Sequence, residues 1–189
     1  MKITVIGVGA LGSHFVLGIR NEKADLRIID FDRVEAKNVA SQFHFKGNIG
    51  KKKIDSLRQS MHFCYGGTLE AIGHMLRADN VEQLLGGADL LVDCLDNGEA
   101  RKLVQDYARA NKIACLHGAL AAGGDFGRVV WDERFSIDYG SAGAPTCEDG
   151  EFLPFIMLTS SYLVLAAQRW IRERRKISYS ITPMGVQLI

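Results

Sequence analysis

The sequence predicts an α/β fold. The expected form is a doubly wound, mainly parallel sheet with an antiparallel C-terminal extension and a long C-terminal helix, in a single domain over residues 1–189. Three observations carry this expectation. Short apolar runs alternate with helical patterns as far as residue 116, the rhythm of strand–helix–strand units with right-handed crossovers. A glycine-rich turn, Gly7-Val8-Gly9-Ala10-Leu11-Gly12, joins the first strand to the first helix. After residue 125 the alternation gives way to short strands and then one long apolar helix.

The elements follow in order. Ile3–Ile6 reads as a strand and Ala10–Arg20 as a helix, with Leu11, Phe15 and Gly18-Ile19 on one face. Leu26–Ile29 is the second strand, and Lys51–Met61 a helix with Ile54, Leu57 and Met61 at helical spacing. Leu69–Leu76 is read as a strand and Val81–Leu85 as a short helix. Leu90–Val92, apolar throughout, is a strand buried on both faces. Asn97–Asn111 is the next helix and Ile113–Leu116 the strand after it. Phe126–Trp131 and Phe135–Tyr139 look like short strands, and Gly140–Pro145 like a loop. A helix over about Leu153–Arg174 and a final strand, Ile177–Ile181, complete the chain. The long helix is apolar nearly all round, with Phe155, Leu158, Tyr162 and Leu165 as a stripe; it is either central core or a dimer face.

Composition narrows the function. The 23 Lys and Arg balance 22 Asp and Glu, so a net charge of +1 offers no field for nucleic acid or an anionic membrane. No stretch is long and apolar enough for a membrane span and no signal peptide opens the chain, so a cytoplasmic protein is expected. Cys64, Cys94, Cys115 and Cys147 are too far apart for a zinc ribbon, so no structural zinc is expected. Cys94 and Cys115 are expected to be packing residues, and the five histidines form no ligand pattern. The 20 glycines beside only three prolines suggest turns where backbone approaches something closely.

That approach is best placed at Gly7, Gly9 and Gly12. In G-x-G-x-x-G between strand and helix, the first glycine permits the tight turn and the second lets backbone approach a phosphate. The third lets helix and strand pack closely, and the helix N-terminus adds unpaired N–H groups. Asp30, at the end of the second strand, stands where a carboxylate accepts from ribose hydroxyls. The Rossmann-like context points to an adenine nucleotide without saying which.

Two further clusters select among nucleotides. One runs Asp30-Phe-Asp32-Arg33-Val-Glu-Ala-Lys37-Asn38-Val-Ala-Ser41-Gln42, followed by Ile49-Gly50-Lys51-Lys52-Lys53; the other is Leu91-Val-Asp93-Cys94-Leu-Asp96-Asn97, with Arg101 four residues on. In this order they resemble the ThiF/MoeB/HesA family of adenylating enzymes, relatives of the ubiquitin-activating E1 domain. The resemblance covers residues 2–118 and returns faintly at 150–171. It implies an adenylyltransferase that uses ATP and Mg²⁺ to activate the C-terminal carboxylate of a small ubiquitin-like or sulfur-carrier protein ending in Gly-Gly, and it suggests a homodimer. It further implies that Asp30 holds the ribose, that Asn38 and Gln42 face the phosphates, that Lys53 is the phosphate lysine, that Asp96 is the Mg²⁺ or phosphate-side acid, and that Asp32 and Asn97 also belong to the cofactor site.

Each residue also has a plain structural role available. Lys51–Lys53 could be a solvated run, although cations at a helix start oppose its dipole. Asp96 could cap the following helix, Asn38 and Gln42 could be turn residues, and Arg101 is expected to bond nearby carbonyls or Asp93. The sequence departs from the family pattern at Ser41, where an Arg is usual; Arg33 and Lys37 are the neighbouring cations that could lean in. The family's N-terminal helix and paired Cys-x-x-Cys motifs are also missing, which suggests a core-only form. Cys147 lies where the crossover loop of the family can carry a thioester- or persulfide-forming cysteine, but Glu148 and Asp149 would raise its pKa. Two other readings stand beside adenylation: an NAD(P)-dependent oxidoreductase, which leaves the second cluster unexplained, and a weakened E1-like scaffold that binds nucleotide or a ubiquitin-like partner.

Overall fold

A computed structural model describes residues 1–137 and 150–189 of the chain. Five parallel strands form its centre: β1 (Lys2–Ile6), β2 (Asp25–Ile29), β3 (Leu69–Ile72), β4 (Leu90–Asp93) and β5 (Ala114–Leu120). They continue into β6 (Gly127–Trp131), β7 (Tyr179–Thr182) and β8 (Gly185–Leu188), each antiparallel to its neighbour. The sheet order is β3-β2-β1-β4-β5-β6-β7-β8. Strand order therefore reverses between β1 and β4, and a crevice opens there at the carboxyl ends of the strands.

Because the sheet is buried on both faces, consecutive residues of one strand serve opposite layers. Ile3, Val5, Ile28, Val92 and Leu116 pack with Phe15 and Ile19 of α1 (Ala10–Ile19), Leu57 and Met61 of α2 (Lys53–Tyr65), and Leu163 and Ala167 of α5 (Leu153–Glu173). Ile6, Ile29, Leu91 and Cys115 face the other way, toward Leu84 and Leu85 of α3 (Val81–Leu85) and Val104 and Tyr107 of α4 (Gly98–Asn111). At the α1–α5 crossing a Cβ on Gly18 would stand 2.7 Å from Val164, so a bare backbone sets the approach of the two helices. In the middle of β2 the buried Arg27 donates through Nη1 to the carbonyls of Leu84 and Gly86, closing the open end of the short α3.

The expected α/β architecture is present, with differences of detail; β3 stops at Ile72, short of Leu76, and β5 runs on to Leu120. Helix α2 starts at Lys53 and runs to Tyr65, ending at Gly66 with a φ of +67°, so Lys51 and Lys52 precede it. Residues 135–137 of the expected Phe135–Tyr139 strand are not in the sheet; Asp132–Arg134 forms a 3-10 turn, Phe135 stacks on His117, and β7 pairs with β6 instead. The remainder of that segment and the expected Gly140–Pro145 loop lie outside the described residues. The last strand is followed by another, β8, after a turn at Pro183-Met184. On α5 the buried residues are Phe155, Ile156, Thr159, Ser160, Leu163, Val164, Ala166 and Ala167; of the expected stripe Phe155 is buried and Leu158 and Tyr162 pack against the core, whereas Leu165 is exposed, so the core face is rotated away from that end of the stripe. Among the described residues no helix is long and apolar enough to cross a membrane.

Candidate functional site

The β1–α1 turn lies over the switch point. Gly7 has a φ of +85°, and a Cβ there would meet the Cys94 carbonyl at 2.9 Å; one on Gly12 would overlap the Gly7 carbonyl at 1.9 Å. The loop is thus pressed against the end of β4. Helix α1 opens at Gly9 without a side-chain cap and without an acidic residue in its first turn, which leaves its leading N–H groups and positive dipole end for an anion.

Asp30 sets the conformation of this loop. Its Oδ2 accepts from Val8 N–H at 2.8 Å and its Oδ1 from Asp32 N–H at 2.8 Å. Burial raises its pKa despite nearby Lys53, so part of the charge of that lysine is already used to keep Asp30 ionised. The chain then folds back on itself: Arg33 bridges Lys52 antiparallel, and Lys53 N–H donates to the Asp32 carbonyl. This return brings the Lys53 ammonium to 3.0 Å from Asp32 Oδ2. Lys53 is the buried member of its run, whereas Lys51 is exposed and bonds Asn48 and Gln59. The solvated reading holds for Lys51 and fails for Lys53.

Between Asp32 and Lys53 the chain makes two 3-10 turns, Ala36–Ala40 and Lys46–Asn48. Asn38 is buried, and its Oδ1 accepts from Glu35 N–H at 2.9 Å in a reciprocal capping box. The turn role anticipated for Asn38 is therefore real, whatever its Nδ2 does. Gln42 is different. It is buried with its carboxamide 3.9 Å from the place of a Cβ on Gly9, and its Oε1 has no hydrogen-bond partner among the described residues. Such an orphan facing a phosphate loop calls for a polar ligand. Ser41 is buried beside it, its carbonyl bonded by His14 Nε2. Among the described residues, Arg33 donates to the Gly50 carbonyl, and Lys37 pairs with Glu35.

His44 supports the loop from beneath, a role that no sequence pattern announces. Its Nε2 lies 3.0 Å from the Val8 carbonyl and therefore carries the proton, so Nδ1 accepts from Ser56 Oγ at 3.2 Å; Asn48 Nδ2 donates to the same Oγ at 3.0 Å. Burial lowers the His44 pKa to about 4. An unfolded histidine takes up a proton near 6.5, so between those pH values the unfolded state holds more protons and stability falls as pH falls. Urea unfolding from pH 7 to pH 4 is expected to show about 3 kcal/mol of loss from this group. In His44→Gln, which keeps a donor for Val8, that part of the loss should disappear; an unchanged pH profile would assign it elsewhere.

Across the crevice β4 ends in two acids with opposite fates. Asp93 is fully buried; its Oδ1 accepts from Leu95 N–H, and its Oδ2 from Arg101 Nη1 at 3.1 Å and His117 Nδ1 at 2.7 Å. Burial works against its charge, but Arg101 and His117 outweigh burial and hold its pKa below the ordinary value. Asp96 is exposed, and its carboxylate has no partner among the described residues. The alternative that Asp96 caps α4 is corrected: Asn97 is the cap, accepting from Glu99 and Ala100 N–H. Asn97 Oδ1 is thus engaged by the helix, and its expected cofactor role is limited to what its remaining atoms can reach. Arg101 bonds Asp93 and the carbonyls of Leu95 and Gly118, as anticipated.

Gly7, Gly9, Gly12, Asp30, Asp32, Gln42 and Lys53 are thereby brought together, with Asp96 on the β4 side of the same crevice. Cys94 is half-buried and Cys115 buried, and burial pushes both thiols up, consistent with packing residues. Cys147 lies outside the described residues. Mg²⁺ carried by a nucleotide asks for one or two carboxylates beside phosphate oxygens, not a full protein cage. The donor chemistry fits: Asp96 is an exposed carboxylate without a partner among the described residues.

Comparison with known proteins gives the family and the fold. A family model described as "ThiF family" matches residues 1–172. The SAMP-activating enzyme E1 of Haloferax volcanii is 27% identical over 126 residues, 63% of this chain and 45% of that protein. The molybdopterin-synthase adenylyltransferase of Salmonella typhimurium is 26% identical over 127 residues, 62% of this chain and 49% of that protein. The chain thus spans about half the length of these curated relatives. Two structures of E. coli MccB, one with MccA-N7isoASN and one with ATP, superpose with TM-scores of 0.79 and 0.77 over 100% of this chain. They do so over 63% and 62% of their own lengths, at 13% and 14% identity, a likeness of fold.

Proposed function

Because the chain belongs to the ThiF family, we propose that it is an ATP- and Mg²⁺-dependent adenylyltransferase acting on the C-terminal Gly carboxylate of a small ubiquitin-like or sulfur-carrier protein. The observation that carries this reading is the convergence of an uncapped phosphate loop, the orphaned Gln42 carboxamide and the buried Lys53 on one side of the crevice, with uncommitted Asp96 on the other. A hydride-transfer site does not need the last three.

In the proposed reaction a carboxylate oxygen attacks the α-phosphorus of ATP, the bond to the bridging oxygen breaks, and pyrophosphate leaves with the electron pair. No covalent intermediate on the enzyme is required, so catalysis rests on positioning and charge. Asp30, anchored by Val8 and Asp32 N–H, keeps lone pairs for ribose hydroxyls. The α1 N-terminus and Gln42 hold phosphate oxygens, and Lys53 meets the charge that develops on the leaving group. Asp96 would hold Mg²⁺, which supplies Lewis-acid stabilisation of phosphate charge. Ser41 gives no cation where the family pattern has Arg, which sustains the weakened-scaffold reading as the alternative.

The test has two parts. ATP with Mg²⁺ should raise the melting temperature while NAD(H) should not; the reverse result would replace adenylation with oxidoreduction. The protein should also exchange pyrophosphate into ATP in the presence of a Gly-Gly-ended small protein encoded beside it. Nucleotide binding without exchange, for every such partner, would leave the scaffold.

A further inference from the structure

Behind Asp96 the structure holds a charged cluster that the proposed reaction does not use directly. His117, fully buried in β5, bridges two carboxylates: Nδ1 is 2.7 Å from Asp93 Oδ2 and Nε2 is 3.3 Å from Asp132 Oδ1. Its ring stacks on Phe135 at 4.0 Å and 5°, with Cys115 Sγ 3.4 Å from Nε2. Asp132 is held in turn by Gln105 Nε2 at 2.9 Å and Arg109 Nε at 2.7 Å. Asp93 and Arg101 then grip a single residue, Leu95, from both sides: Asp93 accepts from its N–H and Arg101 donates to its carbonyl. The next residue is Asp96.

A buried ionic cluster is a poor device for stability, since well-packed apolar residues of equal volume often do as well. What it does well is fix geometry, because every donor and acceptor has one satisfied arrangement. Burial disfavours a charged ring, but the hydrogen-bonded Asp132 and Asp93 carboxylates on its two nitrogens outweigh it and raise the His117 pKa above the ordinary value, which favours the cationic bridge.

We propose that His117 is a positioning residue of the nucleotide site: by bridging Asp93 and Asp132 it locks the Asp93–Arg101–Leu95 clamp and thereby sets the place of the Asp96 carboxylate. This rests on the reading of Asp96 as the Mg²⁺-side acid of an adenylating site. The substitution His117→Gln leaves Asp93 and Asp132 without their shared cation, so the doubly neutral H117Q/D132N is measured beside it, with Asp96→Asn as the reference. ATP affinity without metal should stay within about twofold of the parent in folded variants, while the gain in affinity on adding Mg²⁺ shrinks by about tenfold or more, as in D96N. In pyrophosphate exchange with Mg²⁺, kcat should fall by about tenfold or more and KM for ATP should rise in step with the lost Mg²⁺ gain. A folded H117Q or H117Q/D132N that keeps the parent's Mg²⁺ response and kcat overturns the proposal.

The two readings fail separately. A parent that binds ATP–Mg²⁺ but exchanges no pyrophosphate refutes adenylation, and the Mg²⁺ response still decides the role of His117. A parent that binds no nucleotide refutes both functional readings of the crevice. Crystal structures of parent and variant then settle the clamp: Asp96 displaced by about 1 Å or more supports it, and Asp96 unmoved overturns it.

Discussion

Gly12→Ala is expected to abolish nucleotide binding and to destabilise the protein, although alanine is the better helix former. The added methyl would stand 1.9 Å from the Gly7 carbonyl oxygen, inside any possible contact, and 3.3 Å from Cys94 Cβ. The obstacle is backbone, so no side-chain rotation relieves it; α1 must shift away from β1. Gly7 has little room to follow, because a shift toward β4 drives it onto the Cys94 carbonyl. Overpacking of this kind costs about 1–3 kcal/mol or more, against the roughly 0.5–1 kcal/mol that alanine contributes in a helix. Calorimetry should show ATP affinity reduced by about a hundredfold or beyond detection, since the phosphate donors move with the loop. Gly47 is the control, for it has nothing within 4 Å of the place a Cβ would take and no positive φ. Gly47→Ala should fall within about 0.5 kcal/mol of the parent and bind normally. A Gly12→Ala protein that binds ATP like the parent would remove the phosphate-loop reading.

Lys53→Ala is expected to leave the fold nearly intact and to remove the reaction. Its ion pair with Asp32 has a half-exposed carboxylate, so its loss should cost about 1 kcal/mol or less. The effect on phosphates should be much larger, because the side chain is buried, with its ammonium on Asp32 Oδ2 and its amide fixed to the Asp32 carbonyl. Removing one such cation from a transferring phosphoryl group should lower pyrophosphate exchange by about a hundredfold or more. The loss of binding should grow from AMP to ADP to ATP, because the charge acts on phosphate and not on base. Asp30 adds a second readout: Lys53 now offsets its burial, so in Lys53→Ala the Asp30 pKa should rise further. Exchange at the parent rate would refute the assignment of Lys53.

The parallel half of the fold is readable from the sequence because its signals are local. Apolar runs such as Leu90–Val92 and the turn from Gly7 to Gly12 carry their own instructions, and the phosphate loop, Asp30 and Lys53 are recognisable for the same reason. Strand β8 is not, since Gly185–Leu188 is a four-residue, mostly exposed edge strand, too short for its alternation to stand out. The expected stripe on α5 misleads because the helix is wedged between α1 and the sheet, and burial on two sides blurs a single face. The His117 cluster is out of reach for a deeper reason. Asp93, His117 and Asp132 share no sequence spacing, and the pairing of β4, β5 and β6 together with the packing of α4, which brings Arg101 and Gln105, assembles the cluster. The one trace is an uncommon histidine inside an apolar strand run.

The placing of β1 between β2 and β4 also governs how the molecule is made. Pairing with β2 is a short-range event, but the other edge of β1 waits for Leu90 to arrive beside Ile3. Until then the phosphate loop has no wall, because Gly7 rests on Cys94. The nucleotide site therefore should not mature until β4 has emerged and paired, after the β1–β2 pair. ATP then acts as a ligand of the finished molecule alone, shielding completed chains from unfolding and proteolysis while giving no help to unfinished ones.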